Sequence, residues 1–271
     1  YTADGATLQV ELTAQRYVNG VVALASLNGV NGYRLDGAGA SEKSGAALAI
    51  VGDTNGDGLD DVLVGAPLAD PADRGNAGAA YLVFGSANAS AATRALSGLS
   101  GSDGGKLLGA NAGEITALTV SAAGDVNGDG RADLLVGALG ANGNAGLTYL
   151  LFGAAGPLAA NLDLATLDAS RGIRLLGAAA GNQSGRGAGA AGDVNGDGLD
   201  DLIVGSPFAD PLGNGAPGAA YIVFGRTNFS GDIALGALDG SDGFRIDGTG
   251  TFASTGHSVT GIGDVNADGI G

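Results

Sequence analysis

An all-β chain assembled by repetition is what this 271-residue sequence predicts, and three observations carry the prediction. An acidic, glycine-rich phrase recurs as GDTNGDGLDDVLVGAP at 52–67, GDVNGDGRADLLVGAL at 124–139 and GDVNGDGLDDLIVGSP at 192–207, with a shortened GDVNADGIG from Gly263. Two other markers keep the same spacing: the leucines 27, 99, 167 and 238, and the Phe-Gly pair that closes YLVFG, YLLFG and YIVFG at Phe84, Phe152 and Phe224. Between these markers, short apolar and β-branched runs are bounded by Gly, Asn, Asp and Pro and never lengthen into a helical period, which is the pattern of strands and tight turns.

The first Asp of each phrase falls at 53, 125, 193 and 264, so one unit is about 70 residues long. From Gly37, Gly109, Gly177 and Gly248 to that Asp the distance is 16 residues every time, whereas from the Asp to the Gly of the Phe-Gly pair it is 32, 28 and 32. Length therefore varies in one loop only, LADPADRGNAG after Pro67 and FADPLGNGAPG after Pro207 against GANGNAG after Leu139. In the third unit the strands read GIRLLG, GAGAAGD, DLIVGS and AAYIVFG, and DIALGAL at 232–238 leads into the next unit. Four evenly spaced strands per unit predict the blade of a β-propeller, in which repetition around an axis leaves few exposed edges; a β-helix would need shorter rungs. NGVVALASLNG at 19–29 lines up with SGDIALGALDG at 230–240, and ATLQVEL at 6–12 stands where other units carry the Tyr-and-Phe strand. The expected division is a single propeller domain or a fragment of one over 1–271: residues 1–26 the tail of a preceding blade, full repeats at 27–98, 99–166 and 167–237, and a truncated repeat at 238–271. The partial units at both ends, and a start at Tyr1, carry the expectation of a fragment or a processed product.

With 45% apolar residues the chain has the means to build a substantial core. Its net charge of -16, from 28 acidic and 12 basic residues, repels nucleic acid and anionic membrane surfaces and suits multivalent cations. Cysteine is absent, which removes disulfides, thiolate metal sites and thiol nucleophiles, and no apolar run reaches the roughly 18 residues of a membrane span.

Eleven of the acids stand at fixed places in the repeated phrase. Side-chain oxygens occur at positions 1, 3, 5 and 9: Asp53, Asn55, Asp57 and Asp61; Asp125, Asn127, Asp129 and Asp133; Asp193, Asn195, Asp197 and Asp201; and, in the shortened copy, Asp264, Asn266 and Asp268. This is spacing for a hard cation. Calcium takes six to eight oxygens, and Gly at position 6 (Gly58, Gly130, Gly198, Gly269) permits the sharp turn that points alternate residues inward. Position 7 is expected to add a backbone carbonyl, which is why its side chain is free to be Leu59, Arg131, Leu199 or Ile270. Position 8 is Asp60, Ala132 and Asp200, so it is not assigned as a ligand. An EF-hand would place Glu at position 12 and continue as a helix; here position 12 is Val64, Val136 and Val204 within strand-like runs. The expectation is three complete calcium sites and a fourth, incomplete and weaker. A phrase that served only as a turn would need two such residues, not four oxygens at constant offsets.

With the DxNxDGxxD loops stand Gly65-Ala66-Pro67, Gly205-Ser206-Pro207 and Gly137-Ala138-Leu139, and the combination resembles the FG-GAP repeats of integrin α subunits and their bacterial relatives. The resemblance covers nearly the whole chain. It implies that each repeat is a blade of a seven-bladed propeller, that calcium sits in the hairpin between the first two strands of a blade, and that the module acts outside the cell in adhesion or ligand recognition.

Other candidate sites carry less. His257, the only histidine, fills the slot of Ala46, Leu118 and Arg186 and reads as an ordinary strand residue; GAGAAG at 187–192 matches GxGxxG but leads into an acidic loop, not a helix. Tyr81, Tyr149 and Tyr221 recur at one blade position and read as packing, and Asn88, Asn182 and Asn228 begin N-x-S sequons. No nucleophile, base and oxyanion set is found, so no enzyme is expected within these residues. The expected function is a secreted or surface calcium-binding propeller that takes a protein or glycan ligand on its long loops at 68–77 and 208–217. Two alternatives are an accessory propeller of a larger secreted hydrolase and a structural repeat of a surface filament or layer, self-associating through incomplete end blades. No nucleic-acid partner and no membrane insertion are expected.

Overall fold

The computed structural model describes residues 7–10, 26–88, 91–211, 213 and 215–266. Among them the regular structure is almost entirely β. In chain order the strands are β1 (Thr7–Val10), β2 (Tyr33–Asp36), β3 (Ala47–Gly52), β4 (Asp61–Ala66), β5 (Ala79–Val83), β6 (Thr93–Ala95), β7 (Gly104–Leu108), β8 (Thr116–Gly124) and β9 (Asp133–Ala138). There follow β10 (Leu147–Leu151), β11 (Asn161–Asp163), β12 (Gly172–Leu176), β13 (Ala188–Gly192), β14 (Asp201–Ser206), β15 (Ala219–Val223), β16 (Ile233–Ala234) and β17 (Gly243–Asp247). They form four sheets, ordered β1-β2-β6, β11-β7-β5-β4-β3, β16-β12-β10-β9-β8 and β13-β14-β15-β17.

All four strands expected in the third unit are present, as β12, β13, β14 and β15. They do not all lie in one sheet. GIRLL of β12 pairs antiparallel with β10 of the preceding unit, so sequence unit and sheet are out of phase by one strand. β1, within ATLQVEL, pairs with β2 in the way that β5 pairs with β7, which is the place the sequence assigned to it.

The phase shift has a cause in the excursion that follows each Phe-Gly pair. After β5 the chain runs back to the edge of the sheet before it, adds β6 in parallel to β2, and only then returns as β7. β11 does the same on β7, and β16, inside DIALGAL, does so on β12. Two sheets thereby have five strands where four were expected, the fifth being donated by a later unit. Each excursion ends in a single 3-10 turn that buries one leucine, Leu96, Leu164 or Leu235. Full burial of a leucine contributes about 2 kcal/mol, enough to hold a two- or three-residue strand in place.

The sheets pack face to face. One core joins the first two sheets through Tyr33, Leu35, Val64, Tyr81 and Val83, a second joins the next pair through Leu63, Leu82, Leu107, Val136 and Tyr149, and a third continues through Leu135, Leu150, Ile173, Val204 and Tyr221. β4 and β9 are buried along their whole length because both their faces are covered, which is why VLVGA and LLVGA read as continuous apolar runs and not as alternating ones. The glycine of each GAP-like triplet lies where the next unit comes closest. A Cβ on Gly65 would run into the backbone oxygen of Ala117, on Gly137 into that of Gly185, and on Gly205 into that of Gly256. The recurrent tyrosines are packing residues, as expected, and two of their hydroxyls donate to acids: Tyr81 to the half-buried Glu42 at 3.1 Å and Tyr149 to the buried Glu114 at 3.5 Å.

Candidate metal centre

Each acidic phrase is the connection of an antiparallel hairpin: 53–60 joins β3 to β4, 125–132 joins β8 to β9, and 193–200 joins β13 to β14. The position-6 glycines have φ of 84°, 81° and 91° at Gly58, Gly130 and Gly198, a left-handed conformation that strains any residue with a Cβ. Three loops of this shape recur because the same side chains fold the same turn.

Position 1 organises it. Asp53 Oδ1 accepts the amides of Gly56 at 2.7 Å and Asp57 at 3.1 Å, while its Oδ2 accepts that of Gly58 at 2.7 Å. Asp125 repeats these bonds at 2.8, 3.0 and 2.8 Å, and Asp193 at 2.7, 3.0 and 2.8 Å. Position 3 bridges to position 5: Asn55 Oδ1 accepts the Asp57 amide at 2.9 Å and its Nδ2 donates to Asp57 Oδ2 at 3.1 Å, with the same pair of bonds at Asn127 and Asn195. The amides of Leu59, Arg131 and Leu199 donate to the position-5 carboxylates at 2.9, 3.0 and 2.9 Å.

Position 9 is different in kind. Asp61, Asp133 and Asp201 are completely buried. In each, Oδ2 accepts the amide of position 2, from Thr54 at 3.0 Å, Val126 at 3.0 Å and Val194 at 2.8 Å. Oδ1 accepts the amide of the Phe-Gly glycine, from Gly85 at 2.9 Å, Gly153 at 2.8 Å and Gly225 at 2.8 Å. In the first loop the Thr54 hydroxyl donates to Asp61 as well. The Phe-Gly pair and the acidic loop, two separate sequence markers, are thus parts of one arrangement. The sequence held one sign of it, that Asp is invariant at position 9 while position 8 is not.

Burial pushes the carboxyl of Asp133 up to about 7, the two amide bonds pull against it, and the charges of Asp129 and Asp125 push further the same way. Asp61 and Asp201 are raised for the same leading reason, burial, with Asp57 and Asp197 adding to it. At Asp53, burial would raise the carboxyl, but the amide bonds, that of Gly58 foremost, outweigh it and hold it below the ordinary range. Acidic charge at positions 1, 5 and 9 is therefore gathered on one turn and felt mutually.

As the loops stand, the carboxylates of positions 1 and 5 are turned onto backbone amides, and among the described residues no three acidic or histidine side chains are drawn close enough to hold an ion. The oxygens keep the means to do so, because a carboxylate has about four acceptor sites and those at positions 1 and 5 take three and two donors. All donors are oxygen and the turn is set by glycine, which is the chemistry of calcium. Of the fourth phrase, Asp264 and Asn266 are exposed, with the Asn266 amide donating to Asp264 Oδ1 at 3.2 Å; Asp268 and Ile270 lie outside the described residues.

The FG-GAP repeat family matches the chain at residues 44–83, 117–151 and 185–223. The chain carries three FG-GAP repeats. Each matched stretch spans three strands of one sheet, β3–β5, β8–β10 and β13–β15, together with the acidic hairpin loop and the GAP-like triplet. β6, β7, β11 and β12 fall between the matched stretches, and β16 and β17 follow the last of them. No curated protein matches the chain.

His257 is exposed and accepts a hydrogen bond from Arg186 Nε at 3.2 Å, two residues that share one slot in successive sequence units. The loop at 68–77 is pinned at its centre by Arg74, described below, and the loop at 208–217 presents Phe208 at its start, 45% exposed. No helix among the described residues is long and apolar enough to cross a membrane.

Proposed function

We propose that this chain is a calcium-stabilised β-propeller module that recognises a protein or glycan ligand outside the cell. The observation that supports it most is the threefold recurrence of one loop geometry, in which oxygens at positions 1, 3, 5 and 9 crowd a glycine turn and Arg131 is the only basic side chain on the three loops. Asp53, Asn55, Asp57 and Asp61, with the Leu59 carbonyl, would hold one ion; Asp125, Asn127, Asp129 and Asp133, with that of Arg131, a second; Asp193, Asn195, Asp197 and Asp201, with that of Leu199, a third. An ion there supplies positive charge against three mutually repelling carboxylates. The protein's own part is to hold the donors in advance: the amide bonds to position 1 fix the turn, and position 9 ties it to the Phe-Gly strand end. Because the acidic loops and the loops at 68–77 and 208–217 leave opposite ends of β4 and β14, the ligand surface is assigned to the end away from calcium.

The test is thermal unfolding in chelator and in millimolar calcium. With affinities typical of extracellular modules, three sites give a rise in Tm of about 5–20 °C on adding calcium. An unchanged melt overturns the reading. A second reading, self-association through the end sheets, is favoured by Phe244 and Ile246 of β17, 37% and 44% exposed, where the corresponding Ile173 and Leu175 of β12 are buried. Sedimentation in calcium checks it, and a strict monomer at high concentration counts against it.

A further inference from the structure

The eighth position of the acidic phrase, outside the expected ligand set, makes a contact that crosses from one loop to the next. Asp200 Oδ2 accepts the backbone amide of Asp125 at 2.8 Å, and the amide of Asp200 donates to the carbonyl of Asp125 at 3.3 Å. Asp125 is position 1 of the second loop. Asp200 stands between Leu199 and Asp201, positions 7 and 9 of the third loop. The residue that separates two expected donors of one loop thus grips, by both backbone and side chain, the first expected donor of its neighbour. A neighbouring bond from the Arg226 amide to the Val126 carbonyl, at 2.9 Å, extends the contact.

The same junction recurs between the first and second loops, but with one part missing. The amide of Ala132 donates to the Asp53 carbonyl at 3.0 Å and that of Ala154 to the Thr54 carbonyl at 2.9 Å, so the backbone half is intact. Ala132 has no oxygen with which to take the Asp53 amide. Space for one exists in both places, because the residue before position 1 is glycine. A Cβ on Gly124 would land on the Asp200 carboxylate, and a Cβ on Gly52 would stand 2.8 Å from that of Ala132. The second and third loops are therefore joined by a charged clasp that the first and second lack.

We infer that Asp200 is a positioning residue that couples the third acidic loop to the second, so that calcium held by either one favours calcium at the other, while the first loop fills on its own. The inference rests on the calcium reading given above. Its reason is that an ion fixing Leu199 and Asp201 also fixes Asp200 between them, and Asp200 in turn sets the peptide from which the Asp125 side chain reaches its ion. Linkage makes the effect reciprocal: whatever factor the third loop confers on the second, the second confers on the third.

The experiment follows the amides of Gly58, Gly130 and Gly198 by two-dimensional NMR while calcium chloride is added to the whole chain and to three variants. In Asp200→Ala, the calcium midpoint at Gly130 is expected to rise about fivefold or more although no residue of the second loop has changed, with Gly58 unmoved. Asp200→Asn, which keeps an acceptor oxygen, should stay near the wild type. Ala132→Asp should lower the midpoint at Gly58 by a comparable factor. A second arm needs no metal: in chelator, hydrogen exchange at the Asp125 amide should quicken about tenfold in Asp200→Ala and little in Asp200→Asn. If all three glycines respond to calcium and Gly130 keeps its midpoint in Asp200→Ala, the coupling is overturned and the calcium reading stands. If no glycine responds to calcium in the wild type, the calcium reading falls and the coupling of ions falls with it. Unchanged exchange at Asp125 overturns the clasp itself.

Discussion

The three buried aspartates at position 9 satisfy backbone amides, and the proposed function gives them an ion to hold as well, two roles that mutation separates. Asp133 satisfies the amides of Val126 and Gly153 whether or not an ion is present, whereas Asp129, exposed at position 5, holds only local turn amides and an adjacent arginine, Arg131 Nη1, at 3.5 Å. Asp133→Ala leaves two amides inside the protein without an acceptor, and is expected to cost about 2–4 kcal/mol even in chelator. Asp129→Asn keeps a hydrogen-bond acceptor and loses a charge. It should leave the melt in chelator nearly unchanged and reduce the rise produced by calcium. Denaturant unfolding of both variants with and without calcium checks this, and equal behaviour of the two would show that position 9 is no more than a ligand. The oxygen spacing at 1, 3, 5 and 9 was legible in the sequence because all four donors lie in one short loop. The amide role of position 9 was not, since its partner glycine lies 20 to 24 residues further on.

At the scale of elements, strand identity was legible and strand partnership was not. GIRLL, DLIVG and AAYIV announce themselves by composition, but nothing in GIRLL says that it pairs backward with β10. That follows from the excursion of β11 to the preceding sheet, a contact whose local sequence is only a short polar-apolar run. The irregular length of the loop at 68–77 likewise marks it as ligand surface. The structure commits its centre: Arg74 Nη1 donates to the carbonyls of Gly109 and Ala110 at 2.7 and 2.9 Å and to Asp163 Oδ1 at 2.9 Å, while Nη2 donates to Asp163 Oδ2 at 2.6 Å. The loop is thereby fastened to β11 and to the turn after β7. Arg74→Ala should cost about 1–2 kcal/mol, most of it from the lost carbonyl contacts because the paired carboxylate is partly solvated. Arg74 holds the Asp163 carboxyl below the ordinary carboxylate range, chiefly through the bonds between them. A depressed carboxyl contributes stability that is present above its unfolded value, about 4, and lost as the pH falls through the folded one. The stability gap between wild type and Arg74→Ala should therefore narrow from pH 6 toward pH 2. A gap that stays constant over that range would assign the effect to packing alone.

For the molecule as a whole, the decisive quantity is a charge of -16 placed largely along one end of stacked sheets, where successive acidic loops touch through their backbones. Part of any stabilisation by calcium will be simple screening of that charge, which any salt provides, and part will be occupation of the loops, which only a cation of the right size and coordination provides. The two differ in concentration dependence. At about 0.15 M monovalent salt the screening length is already near 8 Å, so a few millimolar calcium adds almost nothing to screening. Three bound ions, by contrast, would bring the net charge to about -10 and tie each hairpin at its own turn. In chelator, raising sodium chloride from about 0.02 to 0.5 M should lift Tm modestly by relieving repulsion between loops. Adding about 2 mM calcium at constant 0.15 M sodium chloride should lift it further and by more, and magnesium at the same concentration should do less, because it gives up its water reluctantly and rarely fills its shell from protein oxygens alone. If sodium chloride reproduces the whole calcium effect, or magnesium equals calcium, the charge is acting as a diffuse field and the acidic loops are turns and nothing more.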